Sequence, residues 1–443
     1  MTNKKIMKKI IIALFALVAV STYAQTNWDV RRCISYALAN NISIKQADNR
    51  IRQNELQLST AKNSRLPDLS ASVGENVSFG RGLTAENTYS NTNTSSTSFG
   101  LSTSVPLFTG MRIENTIKLQ KLNLDASTAD LEKAKNDIAM QVAQQYIQII
   151  YSKELVAVAH RQIAIDSMQV ERLQEMLNHG KASPAELSQQ KATMAQSRLT
   201  ATQAENDLKI ALLNLSQLLE LPTPEGFSVV DVDVSGLAMS VVPSADAVYS
   251  DAVGIKPEIA AENIRLQAAE KNIKVAEAAR YPQLYLSGSL GTNYYTTSGF
   301  DADGFGKQLK NNFSQAIGLN LSIPIFNRFS TRNSIRSAEI DRDNQRLQLD
   351  NTKKALYKEI QQVCYNAAAA QSKLTSSEAA AASSEDAFTL MQAKYENGKA
   401  NITEFNEAKN NLMRSQSDLM QAKYEYLYQT VLVDFYRGKE INF

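Results

Sequence analysis

Two periods of hydrophobicity divide this chain. In 312–325, "NFSQAIGLNLSIPI", one face carries Phe313, Gln315, Ile317, Leu319, Leu321, Ile323 and Ile325. The other carries Asn312, Ser314, Ala316, Gly318, Asn320, Ser322 and Pro324. Alternation of apolar with small polar residues predicts a strand with one apolar face. Segment 98–108 follows the same rule, with Phe99, Leu101, Val105 and Leu107 against Ser98, Gly100, Ser102 and Ser104, and 69–79 and 284–294 carry a fainter version. Strands are therefore expected at about 68–81, 98–108, 283–296 and 312–326. The stretches between them, 82–98 and 297–312, are polar and read as loops. Tyr89, Tyr294, Tyr295, Phe300 and Phe305 gather near these tips, where a membrane barrel places an aromatic girdle.

Elsewhere the period is seven. Leu187, Met194, Ala201, Leu208 and Leu215 are evenly spaced, as are Phe405, Leu412, Leu419, Tyr426 and Val433. Ile117, Leu124, Leu131 and Ile138 keep the same beat. Sustained heptads predict helices packed side by side in coiled-coil fashion. A second stripe of smaller residues, Ser183, Gln190, Ser197, Ala204 and Ala211, leaves room for another close neighbour. Long helices are expected at about 110–178 and 328–396, each followed by a tight turn and a helix at 184–219 or 402–436. Shorter helical stretches, 29–64 and 245–280, precede the strands and end at Pro67 and Pro282. A helix of about 69 residues is roughly 100 Å long and suits bridging a distance. Two helices of about 35 residues, stacked end to end, would match its length.

These elements occur twice. "RLPDL" at 65–69 returns as "RYPQL" at 280–284, "SVPLF" at 104–108 as "SIPIF" at 322–326, and "GKA" at 180–182 as "GKA" at 398–400. Order is kept, so one unit is duplicated. The first repeat is read as 25–219 and the second as 245–443, joined by the proline-bearing connector 220–244. The fold class is mainly α with a membrane β-barrel, built on a duplicated helix–β-hairpin–long helix–helix unit. Four strands cannot close a barrel, for which about eight is the minimum. Three chains supply twelve, an even number in the range of membrane barrels.

Composition sharpens this. Residues 1–24 pair lysines with a short apolar run, Ile10 to Val20, and small residues Thr22 and Ala24, the pattern of a signal peptide cleaved before Gln25. That leader holds Lys4, Lys5, Lys8 and Lys9 and no acids. The whole chain has 47 basic and 45 acidic residues, so a net charge near −2 remains without the leader. Such a balance gives no electrostatic case for nucleic acid. No stretch after the leader is apolar enough for a spanning helix, which leaves a barrel as the membrane option. Cys33 and Cys364 read as two separately buried thiols, with a disulfide the less favoured state.

Candidate chemistry is sparse. His160 and His179 are not at metal-ligand spacing, and no nucleophile-elbow, phosphate-loop or dinucleotide pattern occurs. No enzyme and no cofactor is indicated. "DADG" at 301–304 begins like a calcium loop but lacks the remaining ligands. The acids behind the twin turns have a structural role to fill: Ser183 with Glu186, and Asn401 with Glu404, have capping-box spacing. Gly180 and Gly398 suit the left-handed end of the preceding helix. Glu407 lies one turn beyond Glu404 on the same face, and its counterpart in the first copy is Gln189, so capping does not account for it.

Taken together, the leader, the duplicated plan, the paired "RLPDL"/"RYPQL" and "SVPLF"/"SIPIF" landmarks, "KPEI" at 256–259 and the glycine turns resemble the TolC-like outer membrane efflux protein family. The resemblance covers nearly the whole mature chain. It implies a homotrimer with a twelve-stranded barrel among outer membrane lipid, continuous with a long α-helical coiled-coil tunnel in the periplasm. It implies an exit duct for tripartite efflux or type I secretion, closed at its periplasmic helical tips. The partners implied are a periplasmic adaptor (membrane fusion protein) and an inner membrane transporter of RND, ABC or MFS type. By position after the turn glycine, Glu404 and Glu407 match the acids of the aperture ring, Glu186 a third acid of the gate, and Tyr395 a gating tyrosine. The family's gating arginine falls on Ala400, leaving Lys399 or Lys181 as substitutes. The turns at Gly180, Lys181, Gly398 and Lys399 match the adaptor-docking tips. Two alternatives share parts of the pattern: a passive porin, which has no use for such long helices, and a coiled-coil envelope spacer, which does not explain the strands.

Overall fold

The fold is taken from a computed structural model that describes residues 26–83, 87–234 and 239–443. The expected signal peptide lies outside the described residues. The elements, in order, are β1 (Thr26–Trp28), α1 (Val30–Asn40), α2 (Ile42–Asn63), β2 (Asp68–Leu83), β3 (Tyr89–Phe108), α3 (Arg112–Asn178), α4 (Pro184–Leu218), β4 (Phe227–Val229), α5 (Ala245–Ala252), α6 (Pro257–Glu277), β5 (Gln283–Thr297), α7 (Phe305–Asn311), β6 (Ser314–Ser322), α8 (Ser330–Glu396) and α9 (Ile402–Tyr436). The long helices α3 and α8 have 67 residues each, and α4 and α9 have 35 each. The chain divides into two compact units, one of 1–47, 131–257 and 353–443, the other of 48–130 and 258–352.

The second unit holds an antiparallel sheet in the order β2-β3-β5-β6. Its register sets Val73 opposite Phe99, Ala71 opposite Leu101, Leu101 opposite Leu290 and Leu286 opposite Leu319. Directly opposed residues share a face, so these form one apolar surface. That surface is bare: Ile317 is 86% exposed and Val73 71%. On the other face Ser70 and Ser102 share a hydroxyl hydrogen bond of 2.7 Å.

The hairpins depart from expectation at their tips. The predicted loop 82–98 is largely strand: β3 begins at Tyr89, and the ladder continues to Leu83 opposite Tyr89. Its Ser and Thr side chains bond across the ladder, with Ser95 Oγ donating to Glu75 at 2.5 Å and Ser98 Oγ to Gly74 O at 3.3 Å, so polarity here does not mean loop. The second tip, predicted as loop, contains α7. Gln308 of α7 accepts from Tyr295 N–H and donates to its carbonyl, both at 2.9 Å, and Asn312 donates to Asn293 O at 2.8 Å. Side-chain amides thus occupy the edge of β5 where β6 has ended. Strand β6 is shorter than expected, and 323–329 is irregular.

In the first unit, the single helices expected at 29–64 and 245–280 are each broken. Asn41 stops α1, donates to Leu218 O at 3.0 Å and accepts from Ser43 N–H at 2.8 Å. One amide therefore meets the last carbonyl of α4 and starts α2. In the second copy the break precedes Pro257, and Lys256 folds its ammonium over the rings of Phe435 (3.9 Å) and Tyr436 (4.5 Å). The core of this unit gathers Trp28, Cys33, Val142, Tyr146, Leu215 and Val229. A short parallel pair, β1 with β4, is anchored by the Tyr146 hydroxyl, 2.7 Å from Val230 O. Both cysteines are free and buried.

Candidate functional site: the twin helical tips

The α3–α4 and α8–α9 turns are built alike. Gly180 and Gly398 adopt φ of +69° and +70°, a region costly for residues with a Cβ. Lys181 N–H reaches back to Met176 O at 2.7 Å, and Lys399 N–H to Lys394 O at 2.8 Å, closing orphan carbonyls at each helix end. Capping boxes open the following helices. Ser183 Oγ accepts from Glu186 N–H at 3.1 Å while Glu186 accepts from Ser183 N–H at 2.8 Å. Asn401 and Glu404 exchange the same two bonds, both at 2.9 Å. Glu186 and Glu404 therefore have structural work. Glu407 is exposed and has no hydrogen-bond or ion-pair partner among the described residues. With Glu404 it lines a groove of about 350 Å³ whose other wall includes Ser383, Ala387 and Met391 of α8.

Tyr395 lies flat on Phe405, with ring centroids 4.9 Å apart, and the Arg172 guanidinium covers its ring at 5.1 Å. Burial pushes the Tyr395 hydroxyl up, with Arg172 opposing that shift. Arg172 also donates to Glu396 O at 3.3 Å. The cation beside the tyrosine thus comes from α3, not from Lys399 or Lys181, neither of which makes an ion pair among the described residues. Spacing around the turn could not reveal Arg172, because it belongs to the other hairpin.

Deeper in the same unit lies a charge pair that periodicity did not flag. Asp166 of α3 is 0% exposed and Lys409 of α9 is 1% exposed, and they bond directly. The carboxylate also accepts from Ser197 Oγ at 2.6 Å, Gln190 Nε2 at 3.2 Å and Gln162 Nε2 at 3.2 Å. Asn406 Nδ2 donates to Gln190 Oε1 at 3.1 Å. Three helices, α3, α4 and α9, meet at this one carboxylate. Gln190 and Ser197 belong to the small-residue stripe, which at this level meets Asp166 of α3 and, through Gln190, Asn406 of α9. A signal was present: Lys409 stands on an apolar stripe, four residues from Phe405 and three from Leu412.

A family model for outer membrane efflux proteins matches residues 33–220 and again 248–434. The chain belongs to the outer membrane efflux protein family. That family consists of channels rather than enzymes, and its place is the outer membrane. Among relatives, the outer membrane efflux protein BepC of Brucella suis is 21% identical over 390 residues, 88% of this chain and 80% of that one. The toxin and drug export protein A of Aggregatibacter actinomycetemcomitans is 21% identical over 410 residues, 90% and 83% of the two chains. Among solved structures, the Campylobacter jejuni CmeC outer membrane channel superposes with a TM-score of 0.76 at 19% identity, covering 94% of this chain and 87% of that one. The open state of the Neisseria gonorrhoeae MtrE channel superposes with a TM-score of 0.72 at 18% identity, covering 95% and 93%.

Proposed function

We propose that this member of the family is the trimeric outer membrane exit duct of a tripartite efflux or type I secretion assembly, closed at its helical tips. The observation that carries this reading is the doubled tip: matching glycine turns and matching capping boxes at the ends of two helices of equal length. Each copy supplies two such hairpins, so three copies make a six-hairpin iris. Its two repeats, 25–219 and 245–443, then contribute alternately around the axis. Glu404 and Glu407 line the aperture, with Glu186 and Tyr395 in the gate. The turns at Gly180, Lys181, Gly398 and Lys399 meet a periplasmic adaptor, which recruits the inner membrane transporter.

The sheet supports the membrane part. The β5–β6 ladder runs over nine pairs, Gln283 with Ser322 to Gly291 with Ser314. Nine residues at about 3.3 Å, tilted by about 40°, rise roughly 23 Å, close to the apolar band of an outer membrane barrel. Exposed edges on β2 and β6 pair between copies, which removes them from solvent. The experiment is purification from outer membranes in mild detergent. A trimer that co-purifies with an adaptor supports the duct; a trimer with no adaptor, in cells carrying one, refutes the tripartite reading.

A further inference from the structure

The four chain segments that join α2, α3, α6 and α8 to the sheet emerge at one end of it, opposite the hairpin tips, and each carries an arginine. They are Arg65 before β2, Arg112 after β3, Arg280 before β5 and Arg328 after β6. Arg332 and Arg336 extend the last of these along α8 at helical spacing. Three of the acids nearby are already engaged, Glu114 by Arg65 at 3.5 Å, Glu277 by Lys274 at 2.9 Å, and Asp68 by the Ser104 N–H at 2.6 Å, while Glu339 stands one turn beyond Arg336 on the same helix. Arg112, Arg280, Arg328, Arg332 and Arg336 have no carboxylate partner among the described residues. Exposed apolar side chains adjoin them. Ile323 and Ile325 prolong the apolar face of β6, with Ile325 94% exposed, and Phe329 is 57% exposed.

The backbone marks this collar too. At the first strand-to-helix junction the two left-handed residues are Gly110 and Met111, with φ of 64° and 66°. At the second they are Arg328 and Phe329, with φ of 54° and 61°. Bulky residues at positive φ are genuine outliers, and glycine serves the matching position in the first copy. Arg328 thus stands where the first copy has Gly110, and the aromatic Phe329 where it has Met111. Beside Arg112 lies a cavity of about 840 Å³ in which Leu56, Leu66 and Ile113 are mixed with polar residues that include Asn63, Asp68 and Gln120. At the other junction Arg328 adjoins the exposed Ile325 and Phe329, and a cation next to bare apolar surface suits an amphiphile with an anionic head better than a free anion.

We propose that this end of the sheet is a binding collar for anionic glycerophospholipids, with Arg328, Arg332 and Arg336 holding headgroup phosphates and the adjoining apolar surface taking acyl chains. The proposal rests on the sheet being inserted in the outer membrane. Arginines and aromatics at a membrane boundary recognise anionic headgroups in this way. The test uses the full-length protein in nanodiscs of phosphatidylcholine with or without phosphatidylglycerol. Lipids retained through delipidation are counted by mass spectrometry, and thermal midpoints are compared. Wild type is expected to enrich phosphatidylglycerol and to gain thermal stability from it. Each charge is worth roughly fivefold, so R328Q/R332Q/R336Q should lose on the order of 100-fold in preference, while R328K/R332K/R336K keeps most of it. Equal enrichment in wild type and the glutamine variant overturns the collar. So does failure of the glutamine variant alone to assemble, since the arginines would then be contacts between copies. Wild type absent from outer membrane fractions would instead refute the insertion on which the proposal rests.

Discussion

Phe405, Lys409 and Leu412 follow one another at the spacing of a buried helix face, and the lysine among them is sealed against Asp166. Removing one partner of such a pair strands a buried charge at a cost of about 3–5 kcal/mol. Lys409→Met is therefore expected to lower stability to denaturant by about that amount, and adding Asp166→Asn, which removes the stranded charge and keeps an acceptor for Ser197, Gln190 and Gln162, should recover part of it. A double-mutant cycle in detergent measures the coupling, and additive single effects would show that the pair does not act as a unit. Cys33 offers a second residue-scale prediction. Burial pushes its thiol up to about 12 from an ordinary 9.0. The unfolded thiol ionises first, so this group contributes a loss of stability as pH rises from about 9 towards about 12. At neutral pH maleimide should label Cys33 only after unfolding; rapid labelling of folded protein would contradict its burial. The caps were legible because Ser183 with Glu186 and Asn401 with Glu404 are local. Lys409 and Asp166 were not, because they lie 243 residues apart.

At the scale of elements, periodicity located both long helices and both heptad helices to within a few residues, since a long repeat averages out local exceptions. It failed where polar side chains replace backbone partners. Asn41 ends one helix and begins another, so 29–64 is two helices. Gln308 and Asn312 stand in for a strand beside β5, so the second tip contains a helix. Glycines separate in the same way. A Cβ on Gly398 would meet nothing within 4 Å, whereas one on Gly110 would lie 2.7 Å from Ala278 O. Gly398→Ala should thus carry only the left-handed penalty of about 1–2 kcal/mol. Gly110→Ala adds a clash with backbone and should be the more damaging substitution. Thermal midpoints of the two variants in detergent decide this, and equal midpoints would mean that the junction relaxes freely.

For the whole molecule, the capping bonds of Glu404 leave Glu407 as the more telling acid. A cap requires one acid per turn, and the first copy has only Glu186, with Gln189 at the second position. If three copies bring their α9 tips around one axis, six carboxylates from Glu404 and Glu407 ring the aperture. Fixed negative charge in a narrow neck draws cations in and holds them there, so such a ring confers cation selectivity and susceptibility to cation block. Glu404→Gln with Glu407→Gln removes the charge while keeping the shape and an acceptor oxygen for the Asn401 cap. In planar bilayers the double variant is expected to shift reversal potential towards that of a non-selective pore and to weaken block by divalent cations. Glu407→Gln alone should produce a substantial part of the effect, because its carboxylate is not engaged in capping. Glu186→Gln, which alters a gate acid with no acidic neighbour one turn on, should shift selectivity less than the double variant. Selectivity unchanged in the double variant, with trimers intact, would place these acids away from the conducting path.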